Sequence, residues 1–314
     1  MRMNRFALAL GVTLAGTLAL TACSEDPSAP ATPTVTDTST RIPVLQVDAA
    51  LHDALPDEIK ASGKLELATY DSQPPWAIPA SDPTAFTGAS SDMMAAVAAI
   101  LGVQLERNAV PGLPEIVPGI QAKRFDFALG PIGDSVAAEK NVDFVDWVKE
   151  RVVFVVPNGN PKGLSNLDTT CGLKIGVIAG GSAGPILQAQ SPKCEAAGKA
   201  PIEVQEYQQQ PQAVLAVQSG RADAYFASRA LLTYFVQQSS GGLQLAAEDE
   251  TNGYPDTFYQ GAVFPKGAEQ LRDTILKAFE ALKANGAYDA ILSKWDLDYM
   301  SLDEFGINLL GQPT

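Results

Sequence analysis

Histidine and cysteine, which nucleophilic catalysis and most zinc sites require, are scarce in this sequence. His52 is the only histidine among 314 residues, so neither a Ser-His-Asp triad nor a zinc site of the usual His-containing kinds can be assembled. Three cysteines complete the set of reactive side chains: Cys23, Cys171 and Cys194. We therefore expect binding chemistry rather than catalysis, with no metal and no cofactor.

Cys23 follows a segment with the features of an export signal. Arg2 and Arg5 precede an apolar run over residues 6–20, which is too short for a comfortable bilayer span. The run leads into Leu-Thr-Ala-Cys, which resembles the lipobox of bacterial lipoproteins, whose cysteine carries palmitate-type chains. We expect residues 1–22 to be a lipoprotein signal peptide and Cys23 to be the membrane anchor. The alternative is an ordinary secretory signal with a chance cysteine.

The composition after Cys23 predicts a tether followed by a two-lobed body. Residues 24–42 are rich in Ser, Thr, Pro and Asp and have little to bury, so residues 23–44 are expected to form a solvated tether. The remaining chain of roughly 270 residues exceeds the usual single hydrophobic core. The formal net charge of −14 argues against nucleic acid and against electrostatic attraction to anionic lipid headgroups.

Cys171 and Cys194 are the two cysteines of the body. An even number of cysteines in an exported chain most simply forms one disulfide. Closing a loop of this length stabilises the fold by roughly 3 kcal/mol in the chain-entropy model.

Alternating strands and helices are expected to position the binding groups. The pattern predicts strands over residues 64–70, 103–108, 125–129, 151–156, 174–178, 202–207, 222–227 and 258–264. It predicts helices over residues 55–62, 91–101, 113–122, 136–140, 211–219, 230–238, 271–285 and 288–295. We interpret Asp134 or Ser135 as the cap of the helix over 136–140. This order indicates an α/β protein with mainly parallel sheets.

Six local patterns in this order resemble the family 3 (amino-acid type) extracellular solute-binding proteins. They lie at residues 67–76 (LATYDSQPPW), 120–130 (IQAKRFDFALG), 142–147 (VDFVDW), 173–182 (LKIGVIAGGS), 217–224 (VQSGRADA) and 282–295 (LKANGAYDAILSKW). The cysteine pair also looks like a lipoprotein branch of that family.

The resemblance implies a type II periplasmic-binding-protein fold, with two Rossmann-like lobes, a hinge and a central cleft. Residues 45–150 and 255–314 would form lobe 1, and residues 151–254 would form the inserted lobe 2. The implied role is that of a monomeric, lipid-anchored protein on the extracytoplasmic face of the cell membrane. It would capture a small solute and pass it to the permease of an ABC importer.

The ligand contacts implied by the resemblance fall on ten residues. They are Tyr70, Trp76, Gly130, Ile132, Gly133, Gly181, Ser182, Ser228, Arg229 and Tyr259. Gly181 and Ser182 open a predicted helix, whose free backbone N–H groups suit a carboxylate or another acceptor. The alternatives are a core tryptophan at Trp76, and a plain turn with a capping serine at Ser182.

Several positions depart from the family's pattern for α-amino-acid ligands. Its Thr and Glu-Arg pair fall on Gly133, Ala137 and Ala138, and its ammonium-binding acid falls on Ser228. Ala89 and Ser90 replace an aromatic residue and an acid. Alanine cannot replace a bidentate arginine clamp, so we expect a larger solute, polar or aromatic, that is not a standard α-amino acid. Arg229 could supply a new positive charge, or it could be a solvated residue at a helix start.

Two other functions remain open at this point. One is a binding module of a sensor or an assembly. The other is an enzyme similar to the cyclohexadienyl dehydratases, although dehydration needs a positioned acid or base.

Overall fold

The computed structural model describes residues 41–70, 73–79 and 86–311. The predicted signal peptide, Cys23 and most of the predicted tether lie outside the described residues. The helices are α1 (Ala49–Ala54), α2 (Asp57–Ser62), α3 (Ala89–Leu101), α4 (Ile116–Gln121), α5 (Ala183–Ala196), α6 (Gln210–Gln218), α7 (Arg229–Gln238), α8 (Glu269–Ala284) and α9 (Ala287–Lys294). In the part of the chain that the structure describes, no helix is long and apolar enough to cross a membrane.

The strands fall into two main sheets and a short hairpin. They are β1 (Lys64–Thr69), β2 (Ile78–Pro79), β3 (Phe86–Thr87), β4 (Gln104–Ala109), β5 (Phe127–Gly133), β6 (Val142–Glu150), β7 (Val152–Pro157), β8 (Lys174–Ile178), β9 (Glu203–Tyr207), β10 (Ala224–Ser228), β11 (Leu243–Ala246), β12 (Phe258–Pro265) and β13 (Gly306–Ile307). The hairpin pairs β2 with β3.

The first sheet has six strands in the order β13-β6-β12-β5-β1-β4. β1 pairs parallel with β4 and β5, and β12 runs antiparallel to β5 and β6. Because side chains alternate along a strand, the two faces bury different clusters. Phe127 and Leu129 of β5 join the core formed by α3, α8 and α9, whereas Ala128 faces α4.

The second sheet has five strands in the order β11-β7-β10-β8-β9. β8 pairs parallel with β9 and β10, whereas β7 runs antiparallel to β10 and β11. One face packs on α5, and the other packs on α6 and α7. We call each sheet with its helices the first lobe and the second lobe.

Stacked aromatic rings hold the core of each lobe. In the first lobe, the rings of Trp147 and Phe279 stack with their centroids 5.3 Å apart. In the second lobe, the rings of Phe154 and Phe226 stack at 4.2 Å. All four side chains are fully buried, so each lobe has its own well-packed apolar core.

The predicted disulfide is confirmed. Cys171 and Cys194 are bonded, with their Cα atoms 5.4 Å apart. The bond joins α5 to the chain that follows the 3₁₀ turn Leu167–Thr170.

Two predictions about local structure are wrong. The sheets are mixed rather than mainly parallel, because strands near each connection between the lobes return antiparallel to their neighbours. Residues 136–140 form a turn rather than a helix, since β6 begins at Val142 and leaves room for little more than one turn. Asp134 therefore caps no helix.

The C-terminal 3₁₀ turn Leu309–Gly311 donates a hydrogen bond to the carboxylate of Asp134 and to two others. Its three successive backbone N–H groups donate to Asp146, Asp134 and Glu139 at 2.9, 3.3 and 2.9 Å. Asp134 and Asp146 are almost fully buried. Burial and the neighbouring negative charge of Asp146 raise the pKa of Asp134 to about 8. Burial also raises the pKa of Asp146 to about 7.

Candidate functional site

A narrow cavity lies at the carboxyl ends of β1 and β5. It is lined by Ala68, Thr69, Tyr70, Gln73, Trp76, Ala77, Ser90, Ile116, Leu129, Gly130, Pro131 and Ile132. In open α/β sheets, ligands bind beyond the carboxyl ends of strands. The cavity has a volume of about 10 Å³, and the residues that line it all belong to the first lobe.

Trp76 is held against the start of α3. The backbone N–H groups of Ala89 and Ser90 donate to the carbonyls of Pro75 and Trp76 at 3.1 and 3.0 Å. Gly88 is required at this junction, since a Cβ there would lie 2.3 Å from the carbonyl oxygen of Trp76. These contacts fix the loop that carries the Trp76 ring.

The Trp76 ring belongs both to the core of the first lobe and to the cavity wall. It is 1% exposed and meets Trp147 edge-on, with the ring centroids 5.4 Å apart. Its Nε1 is buried without a hydrogen-bond partner among the described residues, and so is Oγ1 of Thr69. Leaving a buried polar group unpaired costs about 1–3 kcal/mol. Both groups can therefore gain by pairing with a polar solute in the cavity.

Direct contacts join the two lobes at the rim of the cavity. Tyr70 of the first lobe donates its hydroxyl hydrogen to the backbone carbonyl of Gln208 at 3.1 Å. Gln209 of the second lobe donates from Nε2 to the carbonyl of Pro111. A Cβ on Gly180 would lie 2.7 Å from the ring of Pro114. The lobes are therefore closed on each other here.

Gly133 and Ser182 face each other across the lobes. A Cβ on Gly133 would lie 3.5 Å from Oγ of Ser182 and 2.7 Å from the ring of Phe258. Ser182 does not cap α5 with its side chain. Its Oγ instead shares a hydrogen bond with the hydroxyl of Tyr254 at 2.9 Å. Gly181 precedes it, where a Cβ would lie 2.6 Å from the side chain of Ile178.

Ser228 and Arg229 lie where β10 meets α7, beside the hinge, because Ser228 pairs with Val152 at the start of β7. The hydroxyl of Ser228 donates to Oε2 of Glu150. Arg229 pairs with Glu248 at 3.3 Å and lies over the ring of Tyr299, 5.2 Å from its centroid. Both side chains therefore already have partners within the protein.

The structure brings together some of the ten predicted residues and separates others. Tyr70, Trp76, Gly130 and Ile132 line one cavity. Tyr259 is half-buried and binds Asp134 through its backbone carbonyl. The remaining residues form the Gly133–Ser182 contact and the hinge group described above.

Three polar residues near the cavity or the hinge were not predicted from the sequence. Thr69 and Gln73 line the cavity beside Ser90, and Glu150 lies at the hinge. For Thr69 the position directly before Tyr70 at the strand end was an available signal. For Glu150 the signal was an acid closing the apolar run of β6.

The described part of the cavity lining is neutral. Its described lining residues include no acid, no lysine and no arginine. Among the described residues, no group of three or more His, Cys, Asp and Glu could hold a metal ion. The chemistry offered to a solute is therefore hydrogen bonding and contact with aromatic rings.

Two mixed α/β lobes with a cavity at the strand ends define a type II periplasmic-binding-protein fold. Residues 65–298 match the family described as bacterial extracellular solute-binding proteins, family 3. That match covers more than half of the chain, and the protein belongs to this family.

Relatives and a solved structure agree with this membership. The arginine-binding protein ArgT of Corynebacterium glutamicum is 26% identical over 267 residues, which cover 85% of this chain and 84% of ArgT. The L-cystine-binding protein TcyA of Bacillus subtilis is 25% identical over 239 residues, covering 76% and 82% of the two chains. An ancestral arginine-binding protein, solved with arginine bound, is 26% identical with a TM-score of 0.64; the match covers 74% of this chain and 98% of that one.

Proposed function

We propose that this protein captures a small solute in the cavity at the carboxyl ends of β1 and β5, where Tyr70 contacts the second lobe, and delivers it to an ABC permease from the extracytoplasmic face of the membrane. The cavity at the strand ends carries the proposal, because it combines aromatic rings with buried polar atoms that lack hydrogen-bond partners among the described residues. Lipid anchoring through Cys23 belongs to the same proposal and is supported by the Leu-Thr-Ala-Cys pattern at residues 20–23. Two lobes divided near residues 150–151 and 254–255 would close around the solute by a hinge motion.

The proposed solute is polar or aromatic and is not a standard α-amino acid. An α-amino acid brings a carboxylate and an ammonium group, and burying either charge without a partner is costly. The described lining residues offer no opposite charge to either group. Ala138 is too short to reach a carboxylate, and the Ser228 hydroxyl is engaged by Glu150.

Arginine and cystine are the competing ligand classes, because two relatives are named for binding them. Arginine carries three charged groups. Arg229, the nearby cation at the hinge, is paired with Glu248 and lies over Tyr299. To bind the carboxylate of an arginine ligand, Arg229 would have to leave Glu248 and Tyr299.

Binding rather than catalysis is proposed for the same cavity. Tyr70 is the one described lining residue with a side chain that can give up a proton in water, and its hydroxyl already donates to Gln208. A dehydratase needs a positioned acid or base. Turnover of prephenate by the purified protein would contradict this part of the proposal.

Thr69 provides a sharp test of the site, after a thermal-shift screen of metabolites has identified a solute. A solute at 100 times its dissociation constant stabilises the protein by roughly 2.7 kcal/mol, which is readily detected. Thr69→Val removes a buried hydroxyl that has no described partner. We expect unchanged or slightly higher stability, and about tenfold weaker binding if the solute pairs with this hydroxyl.

Thr274→Val is the matched control. Thr274 is also buried, but its hydroxyl donates to the carbonyl of Gln270 at 2.7 Å, in α8. This variant should lose about 1 kcal/mol of stability and keep the wild-type affinity. Equal affinities for both variants and the wild type would contradict the proposed position of the solute.

A further inference from the structure

Glu150 lies where both connections between the lobes meet. It is the last residue of β6, two residues before β7 begins in the second lobe. In the sheet register it pairs with Phe258, where the chain re-enters the first lobe. Any hinge motion of the lobes must therefore bend the chain next to Glu150.

The Glu150 carboxylate binds the start of α7 in the second lobe. The Ser228 hydroxyl donates to Oε2, and the backbone N–H of Ala230 also donates to the carboxylate. The N–H of Arg151 donates to Oε1 at 2.7 Å. Since Ser228 makes no side-chain cap on α7, a carboxylate from the first lobe serves as the acceptor at this helix start.

The charged and aromatic side chains around Glu150 also come from both lobes. Arg229 of α7 lies over the ring of Tyr299, which belongs to the first lobe. Arg229 pairs with Glu248, and Arg151 donates from its guanidinium to the Glu248 carbonyl at 3.2 Å. Glu150 is 5% exposed. Separation of the lobes would part Arg229 from Tyr299 and would let water reach Glu150.

We propose that Glu150 is a latch between the lobes, whose protonation favours the closed cleft and whose ionisation favours the open one. The latch would regulate the cavity that the proposed function assigns to the solute. It can be measured without any solute, so its failure and the failure of the proposed function are distinguishable.

The direction of the pH dependence is set by the larger of two opposing effects on the pKa of Glu150 in the closed protein. Ser228, the two backbone N–H groups and the charge of Arg229 all favour the carboxylate form, but burial outweighs them and raises the pKa of Glu150 from 4.5 to about 7. In the open protein, water would return the pKa towards its ordinary value. The closed form then binds the proton more tightly, so a fall from pH 8 to pH 6 should raise the closed-to-open ratio about tenfold.

The test is a distance measurement across the rim of the cleft in the solute-free protein. Spin labels are attached at Glu115 and Gln212, which are exposed and lie close in sequence to the contacts of Pro111 and Gln209. Cys23→Ser leaves the two introduced cysteines as the free thiols. We expect the short-distance population to grow, relative to the long-distance one, about tenfold from pH 8 to pH 6.

Three variants separate the latch from a general effect of pH. Glu150→Gln removes the ionisable group and keeps one of the two acceptor oxygens, so its populations should not change between pH 6 and pH 8. Ser228→Ala removes a donor to the carboxylate, which should move the midpoint of the transition to higher pH. Asp146→Asn alters the contact with the turn Leu309–Gly311 instead, and it should retain the wild-type change in distance between pH 6 and pH 8.

The latch is contradicted by wild-type distances that do not change between pH 6 and pH 8. It is also contradicted by a Glu150→Gln protein that keeps the pH response. If Glu150→Gln does not fold, the wild-type titration and the Ser228→Ala midpoint decide the question without it.

Discussion

Asp146→Asn should make the protein more stable at neutral and alkaline pH, although it removes a charge that accepts a hydrogen bond. Asp146 is fully buried and accepts from Leu309 at 2.9 Å, while its other oxygen has no hydrogen-bond partner among the described residues. Burial raises its pKa from 3.8 to about 7. The unfolded chain has the ordinary value, so between these two pH values the folded protein binds more protons.

The sign and the size of the effect follow from proton linkage. Where the folded state binds more protons, stability falls as pH rises, by about 1.4 kcal/mol per pH unit for each proton. Between pH 5 and pH 7, one such group costs roughly 2 kcal/mol, since the group is half ionised in the folded protein at pH 7. Asp134 and Glu139 lie close to Asp146. Removing the negative charge of Asp146 therefore also lowers the electrostatic repulsion on these two carboxylates. We expect Asp146→Asn to exceed the wild type by about 1–3 kcal/mol at pH 8.

Asp143 supplies the matched control, three residues earlier on the same strand. It is buried but paired with Lys266 and Arg272. These hydrogen bonds outweigh the effect of burial and lower the pKa of Asp143. Its stabilising contribution is therefore present above the ordinary pKa and is lost as pH falls through the lowered one. Asp143→Asn should be destabilising at pH 8, opposite to Asp146→Asn.

Urea unfolding at pH 5 and pH 8 measures both variants against the wild type. The wild type should be more stable at pH 5, and Asp146→Asn should flatten the difference. Wild-type stability that rises between pH 5 and pH 8, or an Asp146→Asn protein that is less stable than the wild type at pH 8, would refute the reasoning.

Three further predictions concern the disulfide, the cleft rim and the anchor. Replacing Cys171 and Cys194 by Ala should lower the free energy of unfolding by about 2–4 kcal/mol; an unchanged thermal transition would count against this. Gly180→Ala should weaken solute binding, because φ is +73° there and the new Cβ would meet Pro114 on closure; unaltered affinity in calorimetry would argue otherwise. Cys23→Ala should abolish incorporation of labelled fatty acid in cells, and persistent labelling would exclude Cys23 as the anchor.

The fold class could be predicted because its signals are local and repeated. Strand β8 lies over residues 174–178 as expected, and β12 and α7 differ from their predicted bounds by one residue. Strand direction was not predictable in the same way, because a strand has the same period of two whether its neighbour runs parallel or antiparallel.

The turn at residues 136–140 shows a second limit of the sequence. Its composition suits a helix, but β6 must begin at Val142 to pair with Pro265 of β12. The tertiary pairing shortens the segment to a turn. Asp134 then accepts a hydrogen bond from the C-terminal turn, at Leu310, which lies 176 residues further along the chain.

Within the candidate site too, contacts made by neighbouring residues could be predicted, and contacts between distant segments could not. Tyr70 and Trp76 could be predicted, because they follow one strand and its proline-containing loop. The roles of Ser228 and Arg229 could not, because their partners Glu150 and Tyr299 come from distant segments. Contacts of that kind depend on how the lobes meet, which no local pattern encodes.

Calorimetric titration of the purified protein tests the central claim most directly. The titrants are the twenty amino acids, cystine and the solute that gives the largest thermal shift in the screen. We predict that this solute binds with a micromolar or lower dissociation constant, that Thr69→Val weakens its binding, and that arginine and the other α-amino acids give no binding in that range. Micromolar binding of an ordinary α-amino acid would contradict the proposal of a cavity that recognises its solute without paired charges.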